Sequence, residues 1–193
     1  MRYFLLFGIS ILFLITSCNK HHNGESLDIM VSKFDTVSAS NKNVIIAKID
    51  QLYKNNKLPI KYYKWYVTSK SNDITNVKEK IFFLNNTLEK IKGNTIEENE
   101  VKTIIYNLLT SIYINKTDCD YAVRFAYKSV ESHLQLKSSD NEIATSYHQL
   151  SLAYRTCNDF SNYFKYLQMA ASVNKDTLLS AILYHDMGDY YLA

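Results

Sequence analysis

One spacing of aromatic, apolar, small and aromatic residues occurs three times in the second half of the chain, and nothing else in the sequence limits the fold so tightly. The central copy reads Tyr147, Leu150, Ser151, Tyr154; upstream it is Tyr106, Leu109, Thr110, Tyr113, and downstream Tyr184, Met187, Gly188, Tyr191. In each copy the outer aromatics lie seven residues apart with an apolar residue at the third step. On a helix of about 3.6 residues per turn that puts all three on one stripe. The small residue that follows marks where a neighbouring helix must come close. Three copies in order imply a stack of helical hairpins, none of which buries its apolar face without the next. The expected fold class is therefore all-α. Four Gly and one Pro in 193 residues agree, because tight hairpins and barrel corners need more of both. With 47% hydrophobic residues there is material for one ordinary core.

Helix boundaries are legible around the copies. Thr95-Ile96-Glu97-Glu98 and Ser139-Asp140-Asn141-Glu142 have the spacing of a capping box, and each opens a helix that carries the motif. Asp118 and Asp159 stand where a cap should begin the returning helix of each pair. Earlier in the chain, Leu27 to Phe34 reads as a short first helix, and Val44, Ile45, Ile49, Leu52 and Tyr53 form the stripe of a second that ends at Asn55-Asn56. Pro59 suits the opening of a third, where its missing N–H costs nothing. Asp73 or Thr75 should begin a fourth, which Gly93-Asn94 stops. Residues 43–193 are thus expected to form one helical repeat domain.

Residues 103–193 resemble tetratricopeptide repeats. The resemblance implies a right-handed superhelix of antiparallel helical hairpins, with small residues on the second helix of each pair. Ala122, Ala126 and Ser129 fit that pattern in the first unit. In the second unit the matching places hold Tyr163, Leu167 and Ala170, so Tyr163 should force its hairpin to open or shift. Tyr113 to Tyr154 is 41 residues and Tyr154 to Tyr191 is 37, against about 34 in the usual repeat. Another helical-hairpin solenoid is the alternative. The last repeat is incomplete: Ala193 follows Tyr191 before any returning helix. That suggests a fragment, a truncated product, or a surface completed by another subunit, unless the last helix merely caps the stack.

The amino terminus reads as an address. Arg2 precedes an apolar run from Tyr3 to Ile15, too short for a good permanent span, and Thr16-Ser17 stand directly before Cys18. Ile15-Thr16-Ser17-Cys18 resembles the bacterial lipobox, which implies a signal peptide over 1–17 and a lipid-modified Cys18 that holds the chain to a membrane. An ordinary secretory signal is the alternative. Residues 18–42 then form the lipidated cysteine and a polar tether with a short helix. His21-His22 in that tether lack a third metal ligand nearby. No acidic run of the sort that resembles the surface-export signals of some Gram-negative lipoproteins follows Cys18, and that resemblance, being absent, favours a periplasm-facing place in a bacterial cell envelope.

The formal net charge is +3, and removing residues 1–17 leaves 21 basic against 19 acidic residues, or +2. That near balance argues against a nucleic-acid partner. No phosphate-binding glycine loop, nucleophile elbow or metal-spaced cysteine pair occurs, so no catalytic residue, cofactor or metal is expected. The tetratricopeptide resemblance implies a peptide-binding groove on the motif-bearing helices, lined by Asn107, Ser111, His148, Leu152, Arg155, His185 and Asp189. The carboxylate clamp of the chaperone-binding members does not carry over, because its places hold Asn107, Ser111, Gln149, Ile182 and Asp186. His148 and His185 across adjacent helices show no further metal ligand, and Asp186 and Asp189 read as solvated. Cys119 and Cys157 fall in turns that stacking brings near each other; an exported protein can keep that bridge, and free thiols are the alternative. Asp35-Thr36-Val37 and Asp176-Thr177-Leu178 resemble a short bacterial O-glycosylation motif. The resulting expectation is a lipid-anchored scaffold that binds a protein or peptide partner. The alternative is the truncated sensory part of a longer signalling protein with a kinase or DNA-binding output.

Overall fold

The computed structural model describes residues 27–192 apart from 35, 37 and 38, and describes only the backbone of 39–41 and 192. The expected signal peptide over residues 1–17, Cys18, His21-His22, Asp35, Val37 and Ala193 lie outside the described residues. Among the described residues every regular element is a helix and none is a strand, so the fold class is all-α. No described helix is long and apolar enough to cross a membrane.

The chain divides into two compact units, at residues 1–57 and 58–193. The first contains a short helix over 27–32 (α1) and α2 (Ala39–Lys54). Ile45, Ile49 and Tyr53 recur every four residues along α2 and are buried. Its end is closed by Asn56 at φ 54°, which lets the Lys57 amide donate to the Leu52 carbonyl at 2.8 Å. The division falls after this polar Lys54-Asn55-Asn56-Lys57 connector, with α2 in the first unit.

In the second unit Pro59 caps a 3-10 turn, Ile60–Tyr62, that runs into α3 (Tyr63–Asp73). The next helix, α4 (Val77–Lys90), starts later than Asp73 or Thr75. Asn76 is its cap, because its side chain can accept from both Lys78 and Glu79 amides. Five helices follow: α5 (Ile96–Asn115), α6 (Cys119–Gln135), α7 (Asp140–Thr156), α8 (Phe160–Val173) and α9 (Thr177–Leu192). Both capping boxes form, at Thr95 with Glu98 and at Ser139 with Glu142. Asp159 caps α8 by accepting from Asn162, whereas Asp118 occupies the same place before α6 without a side-chain bond.

These helices pack as sequential hairpins, α5 on α6, α6 on α7, α7 on α8 and α8 on α9, with α5 also against α7. Ile105, Leu109, Leu150 and Leu167 are fully buried. The small residues of the motif, Thr110 and Ser151, are fully buried as well. Each satisfies its hydroxyl within its own helix, on the Tyr106 and His148 carbonyls, so the close approach leaves no stranded donor. Burying a leucine side chain stabilises by roughly 1.5–3 kcal/mol, which makes these positions the main support of the stack.

The outer tyrosines grip a ring on the returning helix. Phe125 stacks between Tyr106 and Tyr113, with centroids at 6.3 and 5.7 Å. Tyr166 stacks between Tyr147 and Tyr154 in the same way, at 6.3 and 5.5 Å. Every member of the second group lies 41 residues after its counterpart in the first, so the repeat is one of packing as well as spelling. The third copy breaks the rule. Tyr191 is 74% exposed, and the neighbouring Tyr190 stacks on Phe164 at 4.4 Å instead. Tyr163, expected to make its hairpin open or shift, is buried where α8 meets α7 and α9; it joins Leu167, Ala170 and Leu183 and donates its hydroxyl to the Asp186 carbonyl at 3.1 Å. The terminal helix accommodates the ring that a tighter hairpin could not.

Candidate functional site

Helices α5 and α7 pack against each other, each opened by a capping box and each with its small residue, Thr110 or Ser151, fully buried. Between them is a depression of about 540 Å³. Ile104 and Leu136 contribute apolar floor, and Lys64, Glu100, Glu142 and Thr145 contribute polar edge. Thr103, Thr145 and Ser146 place their hydroxyl hydrogens on the carbonyls of Asn99, Asn141 and Ile143. Their oxygens keep acceptor capacity. Lys64 and Glu100 stand 3.8 Å apart and are both well exposed, a pair that an incoming ligand can part at little cost.

His133 closes one end of the depression, with Nδ1 3.0 Å from the Ser138 hydroxyl. Burial pushes its imidazole below the ordinary value, and the neighbouring Glu142 carboxylate opposes that shift. Glu142 is itself held low by hydrogen bonds from the Ser139 side chain and backbone. The site is therefore acidic and acceptor-rich around an apolar floor.

The residues expected to share one groove fall in two places. Asn107 lines the depression and takes a hydrogen bond from Ser129 of α6. Ser111, one turn on, is exposed and donates to the Asn107 carbonyl at 3.1 Å. His148, Leu152, Arg155, His185 and Asp189 gather instead where α7 faces α8 and α9. There Leu152 packs on the cluster of Tyr163, Leu167, Ala170 and Leu183, and the Arg155 guanidinium lies 5.7 Å from the Tyr163 ring centroid. His148 does not face His185 directly. Its Nε2–H donates to Asp186 Oδ2 at 2.7 Å, and that carboxylate, expected to be solvated, is only 13% exposed. His185 and Asp189 remain in solvent.

Glu100, Thr103 and Ile104 were not singled out in the sequence, although they precede Asn107 by seven, four and three residues and so share its face. Counting backward from Asn107 finds them. His133 and Leu136 come from the end of α6, and no local periodicity marks them. A third feature lies on α6, α7 and α8. Cys119 and Cys157 are joined as a disulfide, with Cα atoms 5.0 Å apart, tying the start of α6 to the end of α7. Close by, the Tyr154 hydroxyl donates to that of Tyr127 at 3.1 Å, and the Tyr166 hydroxyl lies 2.6 Å from it. Those two bonds hold the Tyr127 phenol below its ordinary value, while burial pushes Tyr166 up to about 12.

Compared with known proteins, the chain matches no family model and no curated protein. Among solved structures it is similar to the N-terminal domain of stress-induced protein-1 (STI-1) from C. elegans. The two share 14% sequence identity over 78% of this chain and 99% of that chain, with a TM-score of 0.46.

Proposed function

We propose that this chain is a protein-interaction scaffold, held at a bacterial membrane surface by lipid on Cys18, that captures a short peptide segment of a partner protein between α5 and α7. The observation that carries the reading is the depression itself. It joins an apolar floor at Ile104 and Leu136 to a ring of acceptor oxygens from Glu100, Thr103, Glu142 and Thr145. An extended segment brings backbone N–H donors and an apolar side chain, and such a surface answers both needs. A volume of about 540 Å³ suits a few residues of that segment and not a folded domain. The role requires no catalytic group. Anchoring and an envelope location rest on the residues before Asn19 alone.

Photo-crosslinking in the native host tests the binding face. A benzoylphenylalanine in place of Glu100 or Thr145 should give a discrete protein adduct, and one in place of the exposed Lys78 on α4 should not. Equal adducts from all three positions, or none from the first two, overturn the reading. Anchoring is separable: Cys18→Ala should release the chain from the membrane fraction while leaving any adduct of the binding face intact.

A further inference from the structure

We infer that the meeting point of α7 and α9 is a divalent-cation site of the zinc type, formed by His185, Asp186 and Asp189. The sequence shows no further ligand for His148 and His185; the fold bonds Asp186 to His148 and sets it beside His185. Its Oδ2 takes the Nε2–H of His148 at 2.7 Å, and its Oδ1 lies 3.7 Å from His185 Nδ1. Asp189, one turn along α9, brings Oδ2 to the same 3.7 Å from that nitrogen. The three donor atoms all lie within 4.8 Å of one another. Ligand bonds of about 2.0–2.2 Å in a tetrahedral arrangement put neighbouring donors roughly 3.4 Å apart, close to the 3.7 Å that separates His185 Nδ1 from each carboxylate.

The chemistry of the set is coherent. One imidazole nitrogen and two carboxylate oxygens suit a borderline ion, and the two negative charges neutralise it. His148 plays the part of an outer partner: from a different helix it fixes the orientation of the Asp186 carboxylate, as ligating carboxylates usually require. Its side chain and that of Asp186 are each 13% exposed, which makes this half of the site rigid. His185 and Asp189, at 73% and 57%, leave the approach and a fourth position open to water. Binding would order the polar face of α9 around Asp186, whose backbone carbonyl already receives the Tyr163 hydroxyl.

The test is calorimetric titration of Zn²⁺ into the full chain carrying His21→Ala and His22→Ala, so that the tether offers no imidazole. One ion per chain should bind saturably. His185→Ala and Asp189→Asn, both at exposed positions where circular dichroism should show the fold unchanged, should each weaken binding by about tenfold or more. Co²⁺ in place of Zn²⁺ should give a visible absorption band that the same two substitutions abolish. The inference is overturned if no saturable binding occurs below about millimolar Zn²⁺, or if neither substitution changes it.

Discussion

A buried imidazole beside a solvent-filled depression ties stability to pH at the level of one side chain. His133 has its folded-state value lowered, chiefly by burial. Above the ordinary imidazole range of about 6.5, neither the folded nor the unfolded state binds the proton, and His133 carries no penalty. As the pH falls through that value the unfolded chain protonates first, so stability declines until the folded imidazole protonates as well. Urea midpoints measured between about pH 7.5 and pH 5 should therefore fall toward acid. His133→Gln, which keeps a polar partner for Ser138, should flatten that fall. A variant with the parent's slope would remove His133 as the cause. None of this is legible along the sequence, because the burial of His133 and the proximity of Glu142 come from how α6 is packed against α7. Local chemistry was easier to read. Thr95 with Glu98 and Ser139 with Glu142 are bonded as their spacing implies, since a capping box needs only the four residues it contains.

At the scale of elements, the helices meet through rings and small residues, and one covalent tie adds to them. Cys119 and Cys157 lie 38 residues apart in sequence and join the first turn of α6 to the end of α7. Closing a loop of that length removes unfolded-state entropy worth about 3–4 kcal/mol in the chain-entropy model. Reduction, or Cys119→Ser, should lower the unfolding free energy by roughly 2–4 kcal/mol. Helix content by far-ultraviolet dichroism should change little, because α6 and α7 pack along their length and Ala126 and Leu150 are fully buried. Loss of the helical signal on reduction would mean that the bridge, and not the packing, holds these elements. The limits of sequence reading show here too. Asn76 rather than Asp73 or Thr75 starts α4, since three cap-forming residues fall within four positions and Asp73 is taken up as the last residue of α3. Tyr163 breaks the small-residue pattern and is buried in a cluster to which α9, an element that begins 14 residues further on, contributes Leu183. The groove residues divide for the same reason. Asn107 meets Ser129 of α6 while Ser111 stays exposed, and Leu152 and Arg155 meet α8 while His148 meets α9, a distinction that depends on which helix lies beside each face.

For the repeat region as a whole, the account holds that the motif-bearing helices α5 and α7 are successive layers, each stabilised by the next, with α9 as a less regular third. Equal burial of Leu109 and Leu150, and the matched stacking around Phe125 and Tyr166, support that equivalence. The exposed Tyr191 marks where it weakens. Binding between α5 and α7, and an ion between α7 and α9, both presuppose that α7 fixes the position of its neighbours. Native-state hydrogen exchange on Leu150→Ala tests this most directly. The substitution removes a fully buried side chain and should cost about 2–5 kcal/mol. Amide protection should fall by a similar amount in α5, α6, α7 and α8 together, as one cooperative unit. Faster exchange confined to α7 and α8, with α5 and α6 protected as before, would contradict it.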